Sequence, residues 1–287
     1  MILITGAAGK TGQAIIKALV QEGHAVRGFV RSKEQARLVK KLGTQEEIMG
    51  DLLDKQAIYD AHINIHATYH ICPNVHPDEI KIGQNVIEAA RHVGVKRFVF
   101  HSVLHPHVEA MPHHWRKMRV EEMIFESGLP FTILQPAAYM QNILTGWDSI
   151  TQRGFYEVPY SMEARISIVD LNDIAEVAVK VLTESSHSGA IYELAGPQPL
   201  SQIEVADILS KKLGCAVTPK LIEIGVWQTN AERAGLGTYQ VETLKKMFQY
   251  YDKFGFEGNP NVLQKLLGRS PTTFEEFIER IINNWGE

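Results

Sequence analysis

The chain has 287 residues, a formal net charge of −4 and a hydrophobic fraction of 45%, which predicts one large domain, or one domain with a smaller lobe, around a substantial core. Acidic and basic residues are interspersed, so nothing favours nucleic acid as the main partner, and two cysteines are too few for a disulfide framework. No apolar stretch is long enough to span a bilayer. Because an apolar strand begins at residue 2, we expect no signal peptide and a cytoplasmic location.

The chain opens with a strand, a glycine-rich turn and a helix. Apolar residues 2–4 lead into Gly6, Gly9 and Gly12, and residues 14–20 follow with the three- and four-residue spacing of a helix. Glycines let a backbone turn tightly and approach phosphate oxygens, while amide groups at a helix start favour an anion. The spacing differs from the standard dinucleotide fingerprint and from a P-loop. We interpret the segment as a diphosphate-binding turn; the alternative is a plain strand-to-helix turn.

A second apolar run, residues 25–30, ends at Arg31, which stands 19 positions after Gly12. In NAD-binding folds an acidic residue about 20 positions after the glycines binds the ribose hydroxyls. An arginine can instead donate two parallel hydrogen bonds to a 2′-phosphate. The sequence therefore predicts NADP(H) in preference to NAD(H); the alternative is an arginine solvated at a helix start.

The first half of the chain alternates predicted strands and helices. The strands are predicted at 2–5, 25–30, 46–49, 66–72, 97–101 and 131–135, and the helices at 10–22, 33–42, 54–61, 77–93, 114–127 and 137–147. Strict alternation with short connections is typical of an α/β fold in which a doubly wound parallel sheet carries helices on both faces. We therefore expect a Rossmann domain that binds NADP(H) at residues 1–150.

The second half is less regular. We predict a helix ending near Thr183, a strand at 190–194, a helix capped by Ser201 and Glu204, a strand at 216–221 and a mostly helical stretch from 223 to 284. Residues 151–287 are expected to complete the sheet and to form a smaller, mostly helical C-terminal substrate lobe, interleaved with the first domain.

Several segments together resemble the atypical, NmrA-like branch of the short-chain dehydrogenase/reductase superfamily. They are residues 5–12, Arg31, residues 50–51, residues 97–102, Lys117 with residues 120–122, and residues 127–136, 139–142 and 169–174. That branch includes NADPH-dependent quinone and triphenylmethane-dye reductases and nitrogen-regulatory redox sensors. The resemblance is specific for fold and cofactor and poor for substrate.

The resemblance implies a cofactor site running from the diphosphate to the nicotinamide. Arg31 would take the 2′-phosphate and Lys117 would reach the nicotinamide ribose. The complete implied set is Gly6, Ala8, Gly9, Lys10, Thr11, Gly12, Arg31, Asp51, Leu52, Ile71, Cys72, Pro73, Ser102, Lys117, Pro136, Ala137 and Tyr139.

The superfamily's usual catalytic pair, Tyr-x-x-x-Lys, is incomplete here. His113 stands four positions before Lys117, and no tyrosine occurs in residues 81–138. A phenol acidified by a neighbouring lysine charge is therefore missing. Electron-poor acceptors mainly need to be positioned against the nicotinamide. We therefore predict Lys117, His113 and Tyr139 as the catalytic residues: Lys117 would orient the ribose, and His113 or Tyr139 would assist protonation of the acceptor. The alternatives are a polar histidine at a helix start for His113 and a packing aromatic for Tyr139.

Five histidines cluster just before and at the start of the helix predicted at 114–127. They are His101, His105, His107, His113 and His114. Their spacing matches no zinc motif, so we expect no metal and interpret the group as a polar rim of a substrate pocket or as a solvent-exposed loop. A planar substrate would stack on aromatic rings, and the distal half is rich in them. The predicted substrate-binding residues are His105, His113, Tyr139 and Trp227.

The sequence thus predicts an NADPH-dependent oxidoreductase that transfers hydride to a small, planar, electron-poor acceptor such as a quinone or dye. A first alternative is a non-catalytic NADP(H) sensor of the NmrA type that regulates a partner protein, and a weaker one is an enzyme resembling nucleotide-sugar epimerases. We expect a monomer or a homodimer.

Overall fold

A computed structural model of the chain, which describes residues 1–284, alternates strands and helices through its first half. In chain order these elements are β1 (Ile2–Ile4), α1 (Lys10–Gln21), β2 (Val26–Val30), α2 (Lys33–Lys41), β3 (Glu46–Met49), α3 (Lys55–His62), β4 (Ala67–His70), α4 (Glu79–Val93), β5 (Arg97–His101), α5 (Pro112–Phe125) and β6 (Phe131–Pro136).

The second half has shorter strands between its helices. Its elements are β7 (Ala138–Tyr139), a 3₁₀ helix (Met140–Gly146), α6 (Trp147–Arg153), β8 (Phe155–Val158), β9 (Ile166–Val169), α7 (Leu171–Thr183), β10 (Ala190–Leu194), β11 (Pro199–Leu200), α8 (Gln202–Leu213), β12 (Thr218–Leu221), α9 (Ile224–Arg233), α10 (Thr238–Phe254), α11 (Asn261–Leu267) and α12 (Phe274–Asn284).

The central sheet of the described residues has seven strands in the order β10-β6-β5-β4-β1-β2-β3. β1 pairs in parallel with both β2 and β4, with Ile2 opposite Val26 on one side and Ala67 on the other. The strand order therefore reverses beside β1, and open α/β sheets bind ligands at the carboxyl ends of the strands at such a point. The predicted doubly wound, Rossmann-like fold is confirmed.

Strands at the middle of this sheet are buried on both faces. All three residues of β1 and all five of β2 are buried, as expected for strands covered on both faces of a parallel sheet. On one face, side chains of α3, α4 and α5 join the core, among them Ile58, Val86 and Val120. The helices α1 and α7 pack against each other.

The chain divides into two compact units. Unit 1 comprises residues 1–108, 113–135 and 171–192, and unit 2 comprises residues 109–112, 136–170 and, within the described chain, 193–284. Within unit 2, β9 lies between β7 and β11, and β12 pairs in parallel with β8. A separate apolar core in unit 2 includes Trp147, Leu209 and Phe277.

The helix predicted at 137–147 is wrong at its start, because residues 138 and 139 form β7. The Ala137 N–H donates to the Leu194 carbonyl oxygen at 3.0 Å, and Ala138 pairs with Ile168 across β7 and β9. A 3₁₀ helix follows, and α6 begins only at Trp147. Strand pairing with distant residues therefore overrides a local apolar spacing that reads as helical.

Helix starts in the distal half follow local sequence signals. The Ser201 side chain accepts from the Glu204 N–H, and the Glu204 carboxylate accepts from the Ser201 N–H, which confirms the predicted cap of α8.

Over residues 1–284 no helix has the length and apolar character required to cross a bilayer.

Candidate functional site

The turn between β1 and α1 approaches neighbouring backbone closely. Gly6 has φ +61°, and a Cβ there would lie 2.8 Å from the Ile71 carbonyl oxygen. A Cβ on Gly12 would lie 2.5 Å from the Gly6 carbonyl oxygen. Gly9 caps α1 without any side-chain acceptor, so the first-turn amides remain available to an anion. This backbone cradle fits the diphosphate of a dinucleotide.

A hydrogen-bonded anchor joins the ends of β1 and β4. The Thr5 hydroxyl donates to the Ile71 carbonyl oxygen at 3.1 Å and accepts from the Ile71 N–H at 2.9 Å. The same hydroxyl lies 2.8 Å from His70 Nδ1. This anchor places Gly6 against Ile71, so two of the segments predicted to hold the cofactor meet in unit 1. Thr5 and His70 were not predicted as site residues.

Arg31 lies immediately after β2, two positions before α2 begins. Its N–H donates to Gln35 Oε1 at 2.8 Å, and the Ser32 side chain caps the helix by accepting from the Gln35 N–H. The Arg31 side chain is exposed, and among the described residues its guanidinium has no carboxylate partner. It is therefore available to a phosphate group.

The segment after β3 is held by a residue of α4. Asn85 donates from Nδ2 to the carbonyl oxygens of Leu52 and Leu53 at 3.2 and 3.3 Å. Leu52 is buried, whereas Asp51 is exposed and accepts from the Leu53 N–H through Oδ1. The predicted adenine-side residues thus lie on a loop that α4 fixes in place.

Cys72 is buried, and burial, reinforced by the Glu79 carboxylate, raises the pKa of its thiol well above the usual range. The thiol is therefore protonated and unreactive. Cys72 can line a ligand without taking part in redox chemistry.

Lys117 forms a buried ion pair that sequence reasoning missed. Its Nζ donates to Glu79 Oε1 at 2.6 Å and lies 3.5 Å from the His101 carbonyl oxygen. The ammonium also lies 5.6 Å from the centre of the Phe100 ring. The Glu79 side chain is 1% exposed and the Lys117 side chain 15% exposed, so the lysine retains access to the surface while its counterion does not.

His113 lies buried at the start of α5, with its ring 4.3 Å from the His114 ring in an edge-on arrangement. Its Nδ1 has no hydrogen-bond partner within residues 1–284. Burial, followed by the nearby His114 and Lys117, lowers the pKa of His113 well below its usual value. The imidazole is therefore neutral near pH 7 and is not a cationic proton donor.

The predicted histidine group separates into buried and accessible members. His101 is hydrogen-bonded through Nδ1 to the Tyr69 hydroxyl at 2.7 Å, and burial lowers its pKa to about 3. His114 donates from Nδ1 to the His105 carbonyl oxygen at 3.3 Å, and its pKa is also lowered to about 3 by burial. His107 is exposed. Nowhere in the described part of the chain do three or more potential ligands converge on a metal site.

Ser102 belongs to a buried hydrogen-bonded group of polar side chains. Its hydroxyl donates to Glu121 Oε1, and Gln135 Nε2 donates to both Glu121 carboxylate oxygens at 3.0 Å. Burial raises the pKa of Glu121. The Ser102 hydroxyl thus has a structural partner, and its predicted contact with the cofactor remains a prediction.

Three of the predicted site residues, Pro136, Ala137 and Tyr139, belong to unit 2. Pro136 and Ala137 are buried, and Tyr139 is half-buried and pairs with Val169 between β7 and β9. The structure therefore places Tyr139 on a short strand rather than on the predicted helix.

Aromatic rings of unit 2 form a connected cluster. Trp227 meets Phe248 edge-on at 4.8 Å, Phe248 stacks on Tyr160 at 5.7 Å, and Tyr251 meets Tyr160 at 5.9 Å and stacks on Phe256 at 4.9 Å. Burial raises the pKa of Tyr160 to about 12, so its hydroxyl is protonated. The outer rings, Trp227 and Phe248, are half-buried and present partly accessible apolar surface.

Comparison with known proteins gives matches over nearly the whole chain. Residues 1–278 match the model of the NmrA-like family. An NAD(P)H azoreductase from Xenophilus azovorans is 29% identical, with 97% of each chain covered, and quinone oxidoreductase 2 from Escherichia coli (strain K12) is 26% identical, with 99% covered.

Solved structures agree with these matches. The NADPH-dependent quinone oxidoreductase QOR2 from Escherichia coli, complexed with NADPH, superposes with a TM-score of 0.86 at 26% identity, covering 99% of this chain and 100% of that one. The Citrobacter sp. triphenylmethane reductase complexed with NADP(H) gives 0.85 at 25% identity, covering 98% and 99%.

Proposed function

Because this chain belongs to the NmrA-like family, we propose that it is an NADPH-dependent oxidoreductase that acts on planar, electron-poor compounds. The observation that carries this proposal is the backbone cradle of Gly6, Gly9 and Gly12 on a chain that resembles reductases over nearly its full length. Quinones, azo dyes and triphenylmethane dyes are the acceptor classes that the names of its relatives favour.

The cofactor proposal assigns each part of NADPH to a segment of the chain. The cradle would bind the diphosphate through first-turn amides of α1, and the exposed Arg31 would pair with the 2′-phosphate. Leu52 would border the adenine, and Ile71 would border the nicotinamide side. When bound, NADPH supplies the hydride that reduces the acceptor.

Lys117 acts in this proposal by binding and orientation. Glu79 already neutralises its charge, and no tyrosine stands four positions earlier for that charge to acidify. We assign Lys117 to the hydroxyl groups of the nicotinamide ribose. His113, which is neutral near pH 7, would donate a hydrogen bond, and Tyr139 is the second candidate donor.

The acceptor proposal relies on the aromatic cluster of unit 2. Trp227 and Phe248 are half-buried and belong to a continuous set of ring contacts. Flat conjugated compounds gain stacking and apolar burial on such a surface. We expect Trp227 to contribute to the binding of the acceptor more than to the binding of NADPH.

Purified protein, NADPH and one acceptor from each class provide the test, with NADPH absorbance as the measurement. We expect oxidation faster than in the protein-free mixture for at least one class. Tight NADPH binding without any acceptor-dependent oxidation would contradict the oxidoreductase and favour an NADP(H) sensor. Replacing Trp227 with Ala should then raise the KM for the acceptor and leave the Kd for NADPH unchanged.

A further inference from the structure

Glu79 is a buried carboxylate that forms an ion pair with Lys117. It lies in the first turn of α4, its side chain is 1% exposed, and Lys117 Nζ donates to it at 2.6 Å. An ionised carboxylate is unfavourable in such a place unless it is paired and hydrogen-bonded. The ionised carboxylate of Glu79 is therefore stabilised in its buried position by the Lys117 ammonium.

Packing between α4 and α5 does not require this pair. Gly83 and Val120 already bring the two helices together, because a Cβ on Gly83 would lie 2.8 Å from the Val120 side chain. A buried ion pair is often no more stabilising than apolar residues of similar volume. A purely structural role would thus be met as well by two apolar side chains.

The pair fixes the position of the lysine rather than enclosing it. Lys117 Nζ is held from α4 by Glu79, lies near the His101 carbonyl oxygen at the end of β5, and stands over the Phe100 ring. The lysine side chain remains 15% exposed, whereas Glu79 is inaccessible. Only Lys117 can reach a ligand, and Glu79 determines where its ammonium lies.

We propose that Glu79 is a positioning residue of the NADPH site, which orients the Lys117 ammonium toward hydroxyl groups of the bound dinucleotide. This inference rests on the proposed function, because it assigns Lys117 to the cofactor. Glu79 itself would not touch the ligand. Its effect on binding must therefore disappear when Lys117 is absent.

The test is a double-mutant cycle on the Kd for NADPH, measured by the fluorescence of the nicotinamide on titration. The proteins are the native chain, Glu79→Gln, Lys117→Met and the double variant. We expect Glu79→Gln to weaken NADPH binding about tenfold in the native background and less than about twofold in the Lys117→Met background.

The same helix offers a matched control. Glu88 pairs with Lys55 at 2.8 Å, but both side chains are about half-exposed, at 45% and 58%. Exposed pairs contribute little, so Glu88→Gln should change NADPH affinity by less than about twofold. Unchanged affinity in Glu79→Gln, or equal weakening in both Lys117 backgrounds, would overturn the proposal.

Breaking a buried pair destabilises a protein, so thermal unfolding of each variant accompanies the titrations. If Glu79→Gln does not fold, Glu79→Asp replaces it. The shorter side chain keeps the charge but withdraws it from Lys117 Nζ, and binding should weaken severalfold; native affinity in a folded Asp variant would count against the role. Because no step requires an acceptor, coupling without acceptor reduction would contradict the oxidoreductase and leave Glu79 as a positioning residue.

Discussion

The exposed guanidinium of Arg31 carries the predicted choice between two cofactors. Ser32 and Gln35 fix the backbone there by their hydrogen bonds at the start of α2, while the side chain has no carboxylate partner within residues 1–284. A free guanidinium can pair with the 2′-phosphate of NADPH. NADH offers this guanidinium no comparable partner, because its 2′ position carries only a hydroxyl group.

Arg31→Asp should therefore reduce the preference for NADPH. The loss of a charge-assisted, two-bond contact, and repulsion by the new carboxylate, should raise the Kd for NADPH about 10- to 100-fold. The Kd for NADH should stay equal or fall, because a carboxylate accepts from ribose hydroxyls. Fluorescence titration with both cofactors measures this.

Arg37→Asp is the control for Arg31→Asp, because it makes the same charge change at an exposed position of α2. It should shift the Kd for NADPH less than about threefold, since exposed charges are screened. A preference that Arg31→Asp leaves unchanged would mean that Lys33 or Lys10 holds the 2′-phosphate.

At the scale of single elements, the β1–α1 turn depends on the absence of a side chain at Gly12. A Cβ there would lie 2.5 Å from the Gly6 carbonyl oxygen and 2.7 Å from that of Ala7. Both neighbours are backbone atoms, so neither can rotate away. Gly12→Ala should displace the turn, lower the free energy of unfolding by about 1–3 kcal/mol and weaken NADPH binding at least about tenfold.

Gly225→Ala is the matched control for the turn, because Gly225 lies in α9 and a Cβ there has no heavy atom within 4 Å. Alanine is the better helix former, so this variant should be as stable as the native chain or slightly more stable, with an unchanged Kd for NADPH. Equal effects of the two substitutions on binding would contradict the cradle.

How far sequence patterns predict this structure depends on whether an element's partners are local. β1 and β5 are predictable because burial within a parallel sheet leaves the apolar runs 2–4 and 98–100. The edge strand β3, in contrast, contains two glutamates and is only partly buried. β8 gives no such signal, since it pairs with β12, which lies some sixty residues later in the chain. The capping box of α8 was predictable because Ser201 and Glu204 are three residues apart.

The same distinction applies to the site. The glycine turn and Arg31 have characteristic spacings, and both were predicted. Glu79 resembles any acidic residue in the first turn of a helix, and its partner Lys117 is 38 positions away. Its importance depends on burial and on a non-local contact, which a single sequence does not display.

At the scale of the whole molecule, unit 1 holds several buried neutral histidines. Burial lowers the pKa of His62 to about 4 and the pKa values of His70, His101 and His114 to about 3. An unfolded chain would protonate them near 6.5. Above that pH neither state is charged at these positions. Below it the unfolded state binds protons that the folded state does not bind, so the free energy of unfolding falls as the pH falls.

Unfolding in urea near pH 7 and near pH 5 should show this loss. Each such histidine lowers the free energy of unfolding by about 2 kcal/mol near pH 5, and four together lower it by several kcal/mol out of a typical total of about 5–15 kcal/mol. His62→Gln should reduce the dependence on pH by about one proton, whereas His92→Gln, which removes an exposed ring, should leave it unchanged. A stability that is flat between the two pH values would mean that these imidazoles take up protons within the folded chain.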